Sequence, residues 1–293
     1  MEKRALGAEG EPFVLEVERG KIREYARAIH SEHPAYLDDV RPVAPAYFLT
    51  TTSLWEGEEG SPWPMVEMSP ARGMHAEQEY VFHGPPPRAG DRLTCRSRIK
   101  DIYDKQGTRG GGLTFVIMTE FRDDSRVLVA EARMTAVETA AVPREDGARG
   151  GLGVGTQWDD LAEGDAGPLP LVVGPLTVTD SVRYQGASGD MHPIHHDAEF
   201  AAAAGYGVPL TVGMLPAGLL TTWATDWRGP EHVRRRRVRW KAQVWPGDVL
   251  TCSGSISRRY EDDDERKVDL EVVCAKQDGS VAVQGWMTFV VPG

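Results

Sequence analysis

The chain runs twice through the same succession of hydrophobic patterns. Alternation with a period of two, the mark of a half-buried strand, covers 77–82, 91–103, 113–121 and 127–137, and returns at 233–244, 250–258, 267–274 and 281–291. Helical spacing precedes each block. In the first, 21–29 reads as an amphipathic helix and 47–55 as the start of a longer one. In the second, Thr179 or Asp180 caps a short helix ending near Gly186, and Asp197 opens another that Gly205 stops. A long helix then runs from Gly213 to about Asp226, with Met214, Leu215, Leu219, Leu220 and Trp223 on a broad apolar face and Pro216 tolerated in its first turn. Helices followed by a run of antiparallel strands predict an α+β architecture.

The parallel extends to individual residues. Gly90-Asp91-Arg92-Leu93-Thr94-Cys95 matches Gly247-Asp248-Val249-Leu250-Thr251-Cys252. A nearly equal shift aligns Tyr25 with Tyr184, Ala28 with Ala187, His33 with His192 and Pro34 with Pro193. A repeat of this length predicts two copies of one domain. The boundaries drawn are 1–140, a linker over 141–171 that is rich in glycine and carries an acidic patch at Asp159 and Asp160, and 172–293.

Composition narrows the function classes. The 293 residues are 41% hydrophobic, enough for two cores, and the net charge of -11 argues against a nucleic-acid binder. The basic run of Arg234 to Arg237, with Arg239 and Lys241, has two readings. One is a solvated strand face; the other is a contact for the phosphates of coenzyme A or a carrier-protein arm. The three cysteines, Cys95, Cys252 and Cys274, show no metal-ligand spacing and no disulfide framework. With no signal-peptide core and no apolar run of membrane-spanning length, a cytoplasmic protein without a membrane partner is expected. The glycines between Gly107 and Gly112 lack the Lys-Ser/Thr of a phosphate loop and read as a hairpin tip.

The candidate chemistry lies at 188–195. Asp190 and His195 stand five apart around His192-Pro193, which disfavours a continuous helix and predicts a bent loop. The two side chains are a candidate acid/base pair. On the alternative reading, Asp190 caps a helix and His195 is a surface residue. In the first copy, Ser31 and Tyr36 fall at the matching positions, so that half keeps the fold without the pair. A His and Asp cluster also admits a metal, but the spacing is too short to favour one.

The stretch from Arg183 through Tyr184, Gly189, Asp190, His192, Pro193 and His195 to Asp197, followed by Phe200 and Gly213-Met214-Leu215, resembles the signature of the MaoC-like (R)-specific enoyl-CoA hydratases and dehydratases. The resemblance implies a double hot-dog fold, each half a long helix wrapped by a curved antiparallel sheet. It also implies Asp190 and His195 as catalytic residues, with the inactive half enlarging an acyl tunnel. His192 departs from the family's usual Asn, and Val212 from its usual His.

The expected reaction interconverts a trans-2-enoyl thioester and its (R)-3-hydroxyacyl form, on coenzyme A or acyl carrier protein, in fatty acid or polyketide metabolism. Asp190 and His195 act on one water, His195 titrating near the working pH. The backbone of Gly213, at the start of the long helix, forms the oxyanion hole, with Met214 assisting. Tyr184, His192, Pro193 and Met214 are the expected substrate contacts; Trp55, Trp63, Trp223 and Trp227 are candidates for an acyl pocket, with core packing the first reading for most of them. No metal, nucleotide or flavin is expected. A monomer and a homodimer of the fused unit both fit. The alternatives are an acyl-thioester-binding subunit that does not hydrate, and a hot-dog thioesterase.

Overall fold

The computed structural model describes residues 5–66, 68, 73–105, 112–138, 161–262 and 264–292. The alternating segments form β2 (Gly73–Phe82), β3 (Arg92–Lys105), β4 (Gly112–Arg122) and β5 (Leu128–Glu138), then β7 (Val233–Trp240), β8 (Leu250–Asp262), β9 (Glu265–Lys276) and β10 (Val281–Val290). Two short strands, β1 (Phe13–Glu16) and β6 (Leu171–Val173), were not expected. Four and three residues are too few to establish a period.

All of them join one antiparallel sheet in the order β1-β3-β4-β5-β2-β7-β10-β9-β8-β6. Matching β1 to β6, β2 to β7, β3 to β8, β4 to β9 and β5 to β10, the order reads the same from either edge. The repeat in the sequence is therefore a pseudo-twofold in space, with the seam between β2 and β7. Much of the predicted linker, 139–160, lies outside the described residues, as do 106–111 of the glycine run.

The seam explains the basic run. Glu77 pairs with Arg237 and Arg239, Glu79 with Arg235, and Glu265 of β9 with Arg234. These guanidinium groups are held by carboxylates of β2 and β9, which favours the structural reading over phosphate binding. Arg236 points the other way, fully buried, stacked over the Tyr47 ring and donating to the Thr221 hydroxyl.

Helix α1 (Arg19–Ala28) of the first half packs on α4 (Val178–Ser188) of the second. Between them the repeat-matched tyrosines meet, Tyr25 and Tyr184 sharing a hydrogen bond of 2.6 Å between hydroxyls. Short helices α2 (Pro34–Leu37), α3 (Gly57–Gly60) and α5 (Ala198–Ala203) complete the first turns of each copy.

In the second half the sheet wraps α6 (Met214–Arg228), buried along nearly its whole length. This is the hot-dog arrangement, and the fold is a double hot-dog of the α+β class. The first half departs from expectation. Its segment 47–55 forms a 3-10 turn over Phe48–Leu54, followed among the described residues by α3 and a second 3-10 turn at Trp63–Met65. The local chemistry accounts for this. Thr50, Thr51, Thr52 and Ser53 compete for backbone groups, as the Thr50 Oγ1 bond to the Tyr47 carbonyl shows, and Gly57, Gly60, Pro62 and Pro64 prevent a longer helix. Helix α6 serves both halves instead: Thr222 Oγ1 donates to the Ile29 carbonyl at 2.8 Å, and a Cβ at Gly218 would lie 2.4 Å from Ile29 Cγ2. Among the described residues, no helix is long and apolar enough to cross a membrane.

Candidate active site

Helix α4 delivers the candidate loop. A capping box of Thr177 and Asp180 starts the helix, two residues before the predicted cap, and the helix continues past Gly186 to Ser188. Gly189 ends it in the left-handed region, φ +82°. A Cβ there would lie 2.6 Å from Ser53 Oγ of the first half, so the loop is moulded against the other copy. The chain then passes Asp190 and makes a 3-10 turn over Pro193–His195.

Gln185 fixes this loop from inside. Its Nε2 donates to the carbonyls of Asp190 (2.7 Å) and His192 (3.3 Å), and its Oε1 accepts from His196 Nδ1 (3.1 Å). His192 Nδ1 accepts the Ile194 amide at 3.3 Å, just as His33 Nδ1 accepts the Ala35 amide at 3.2 Å in the first half. Histidine at this position caps a Pro-initiated turn in both copies, a bond an Asn oxygen can also make.

His195 Nδ1 lies 3.0 Å from the Leu210 carbonyl oxygen. A carbonyl only accepts, so Nδ1 carries the proton and Nε2 keeps its lone pair. Burial pushes the imidazole pKa below its ordinary value, against the opposing pull of the Asp190 charge and the Leu210 bond. The burial thus favours the neutral imidazole.

Asp190, His192, His195, Gly213, Met214 and Tyr184 all face one cavity of about 1040 Å³. Gly213 precedes the first turn of α6, where helix amides have no intrahelical acceptor. Among the described residues the Gly213 and Met214 amides have no acceptor, and the Gly213 carbonyl accepts the indole N–H of Trp240 at 2.6 Å.

Not every expected contact is in place. Pro193 is absent from the cavity wall and shapes the turn instead. Tyr184 reaches the wall, but its hydroxyl is occupied by Tyr25. Val212 is buried in the core beneath the start of α6. Of the four tryptophans Trp63 lines the cavity, while the others follow the core-packing reading: Trp223 and Trp227 pack on each other with ring centroids 5.5 Å apart, and Trp55 packs against the core. In the first half Ser31 and Tyr36 are buried, Tyr36 packing against Thr225 of α6.

The residues that sequence reasoning missed come from across the seam. His75 of β2 lies on the cavity wall, its ring 4.3 Å from that of Trp240 and its Nε2 3.1 Å from Gln78 Oε1. Burial lowers its pKa to about 4, although the Asp190 charge pulls it upward. No local motif surrounds His75; the available signal was a lone histidine at the head of a predicted strand. Among the described residues, no three His, Cys, Asp or Glu side chains cluster so as to hold a metal ion.

The fold agrees with comparison to known proteins. Residues 4–132 match a FAS1-like dehydratase domain region and residues 168–276 a MaoC-like domain. A protein named enoyl-CoA hydratase ChsH3, from Mycobacterium tuberculosis, is 25% identical over 258 residues, covering 86% of this chain and 80% of that one. The mouse peroxisomal multifunctional enzyme type 2 is also 25% identical over 190 residues, which cover 64% of this chain and only 24% of the mouse protein. A solved structure titled MaoC-like dehydratase superposes with a TM-score of 0.80 at 23% identity, covering 99% of both chains. The chain thus joins a FAS1-like dehydratase region and a MaoC-like domain through one symmetric sheet, in the double hot-dog form.

Proposed function

We propose that the chain is a hydro-lyase that interconverts a trans-2-enoyl thioester and its (R)-3-hydroxyacyl form, with coenzyme A as the carrier. The observation that carries this reading is the Leu210 carbonyl on His195 Nδ1, which leaves Nε2 as a base in the cavity that Asp190 also faces. In the hydration direction a water oxygen bonds to C3 and one water proton passes to this pair. The pair delivers one proton to C2, so H and OH add across the double bond and the residues return to their initial state. Negative charge developing on the thioester oxygen falls to the amides of Gly213 and Met214, where the positive end of α6 favours it. The (R) configuration rests on the family resemblance, and coenzyme A on the name of the mycobacterial relative.

The division of labour follows the repeat. The half within 172–293 supplies the pair and the oxyanion amides; the half within 1–140 supplies cavity wall, since its sheet has no long helix over it.

The test is turnover of enoyl-CoA followed by its absorbance. Asp190→Asn and His195→Ala should each lower the rate by about 10² to 10⁴. Near-wild-type turnover in both variants would refute the assignment. Release of free thiol without hydration would identify a thioesterase instead.

A further inference from the structure

The three cysteines are all buried and free, and two of them meet. Cys252 on β8 and Cys274 on β9 stand directly opposite in the register of those strands, on the face turned toward α6. The bonds on the far side of β8 fix the kind of pair they make. The Gly254 carbonyl accepts the Gly167 amide at 2.8 Å, and the Ile256 amide donates to the Asp165 carbonyl at 2.7 Å. Backbone groups of alternate residues point to opposite sides of a strand, so Cys252, Gly254 and Ile256 bond away from β9. Cys252 therefore faces Cys274 as a non-hydrogen-bonded pair. Such pairs bring Cα atoms to about 4.5 Å, inside the range of about 4.4–6.8 Å that a disulfide spans. The thiols already interact: burial raises the Cys252 pKa well above its ordinary value, and the hydrogen bond with the Cys274 thiol adds to the rise.

The repeat supplies a comparison within the same chain. Cys95 matches Cys252, but Phe121 of β4 stands opposite it, where β9 has Cys274. The Cys95 thiol donates instead to the Leu93 carbonyl at 3.4 Å. Burial alone is an ordinary use of cysteine, as at Cys95. The second half adds what burial does not require, two thiols placed so that a bond between them leaves the strand register unchanged.

We propose that Cys252 and Cys274 form an oxidisable dithiol, a modification site at which a small-molecule disulfide of the glutathione type staples β8 to β9 behind α6. Two exchanges accomplish it. One cysteine, its proton lost to water, attacks a sulfur of oxidised glutathione and expels the first glutathione thiolate. The second cysteine, deprotonated in turn, attacks the mixed disulfide and expels the other. The protein loses two hydrogens with their electrons, and one small disulfide becomes two thiols. Burial keeps the Cys252 thiol protonated in the closed sheet, so exchange proceeds through opening of the edge, where β8 is covered by the three-residue β6. Neither cysteine lines the cavity, so the staple acts on stability and not on Asp190 or His195.

The experiment equilibrates the full chain in a fixed mixture of oxidised and reduced glutathione, in buffer and in denaturing urea, starting from both the reduced and the oxidised protein. In the oxidised fraction the thiol count should fall from three to one. Trypsin should then release residues 242–258 linked to residues 268–276. The oxidised-to-reduced ratio of this pair should be at least about tenfold higher in the folded chain than in urea, with a matching rise in melting temperature. Cys95→Ala should behave as wild type, while Cys252→Ala or Cys274→Ala should abolish the linked peptide. A ratio no higher in the folded chain than in urea, lasting glutathione adducts in place of the bond, or linkage through Cys95 would overturn the proposal.

Discussion

The indole nitrogen of Trp240 donates to the Gly213 carbonyl at 2.6 Å, and through that bond a strand end orients the peptide that begins α6. Trp240 is itself stacked by His75, which Gln78 holds from the same strand of the other half. The oxyanion amide proposed for the second half is thus positioned by side chains of both.

Trp240→Phe keeps a ring against His75 and removes the N–H. The expected result is a fall in kcat of about tenfold with KM nearly unchanged, because an interaction that matters in the transition state has been loosened. Steady-state kinetics on a short enoyl-CoA decide this. An unchanged kcat would mean that the Gly213 peptide needs no such support.

Histidine burial ties stability to pH. The His75 pKa is lowered from 6.5 to about 4, first by burial. Above pH 6.5 both folded and unfolded chains hold this group neutral, and it contributes nothing to the pH dependence. Below that, the unfolded chain takes up a proton the folded one refuses, so stability falls until the folded pKa is reached, by about 3 kcal/mol in all. His75→Gln should flatten the slope of the urea-derived unfolding free energy between these limits, and a slope equal to wild type would contradict the assignment. His195 is lowered for the same reason, so the acid limb of its contribution to turnover should lie below the ordinary imidazole value.

Gly189 is constrained twice, by φ +82° and by Ser53 Oγ and Leu54 Cγ, which would lie 2.6 and 2.7 Å from a Cβ. Gly189→Ala should cost about 2 kcal/mol or more in stability and lower kcat/KM by displacing Asp190. Gly207→Ala is the control, since nothing lies within 4 Å of its Cβ position. Thermal melts of the two variants should separate clearly; equal melts would show that the loop adapts to a side chain at 189.

Much of the fold was legible because its signals are local. The strand alternation at 250–258 and 267–274 lies within β8 and β9, and the apolar face from Met214 to Trp223 lies within α6. The first-half central helix was misread because an apolar start at Tyr47 outweighed the hydroxyl and glycine run that follows it. Of the candidate site residues, Asp190, His195 and Gly213 line the cavity, while Pro193, in the same turn as His195, does not. Side chains in one short turn point in several directions, and sequence proximity does not say which of them face a cavity.

The sequence by itself determined the repeat, the alternating and helical elements, and which copy carries both Asp190 and His195, because periodicity and a duplicated motif are properties of neighbouring residues. Only the tertiary structure decided that the arginines of β7 neutralise Glu77 and Glu79, that His75 crosses the seam to Trp240 and Asp190, and that the first half opens into a chamber. Each of these depends on strands separated by more than a hundred residues coming into register. That register is set by burying the faces of the whole sheet at once, and no local pattern records it.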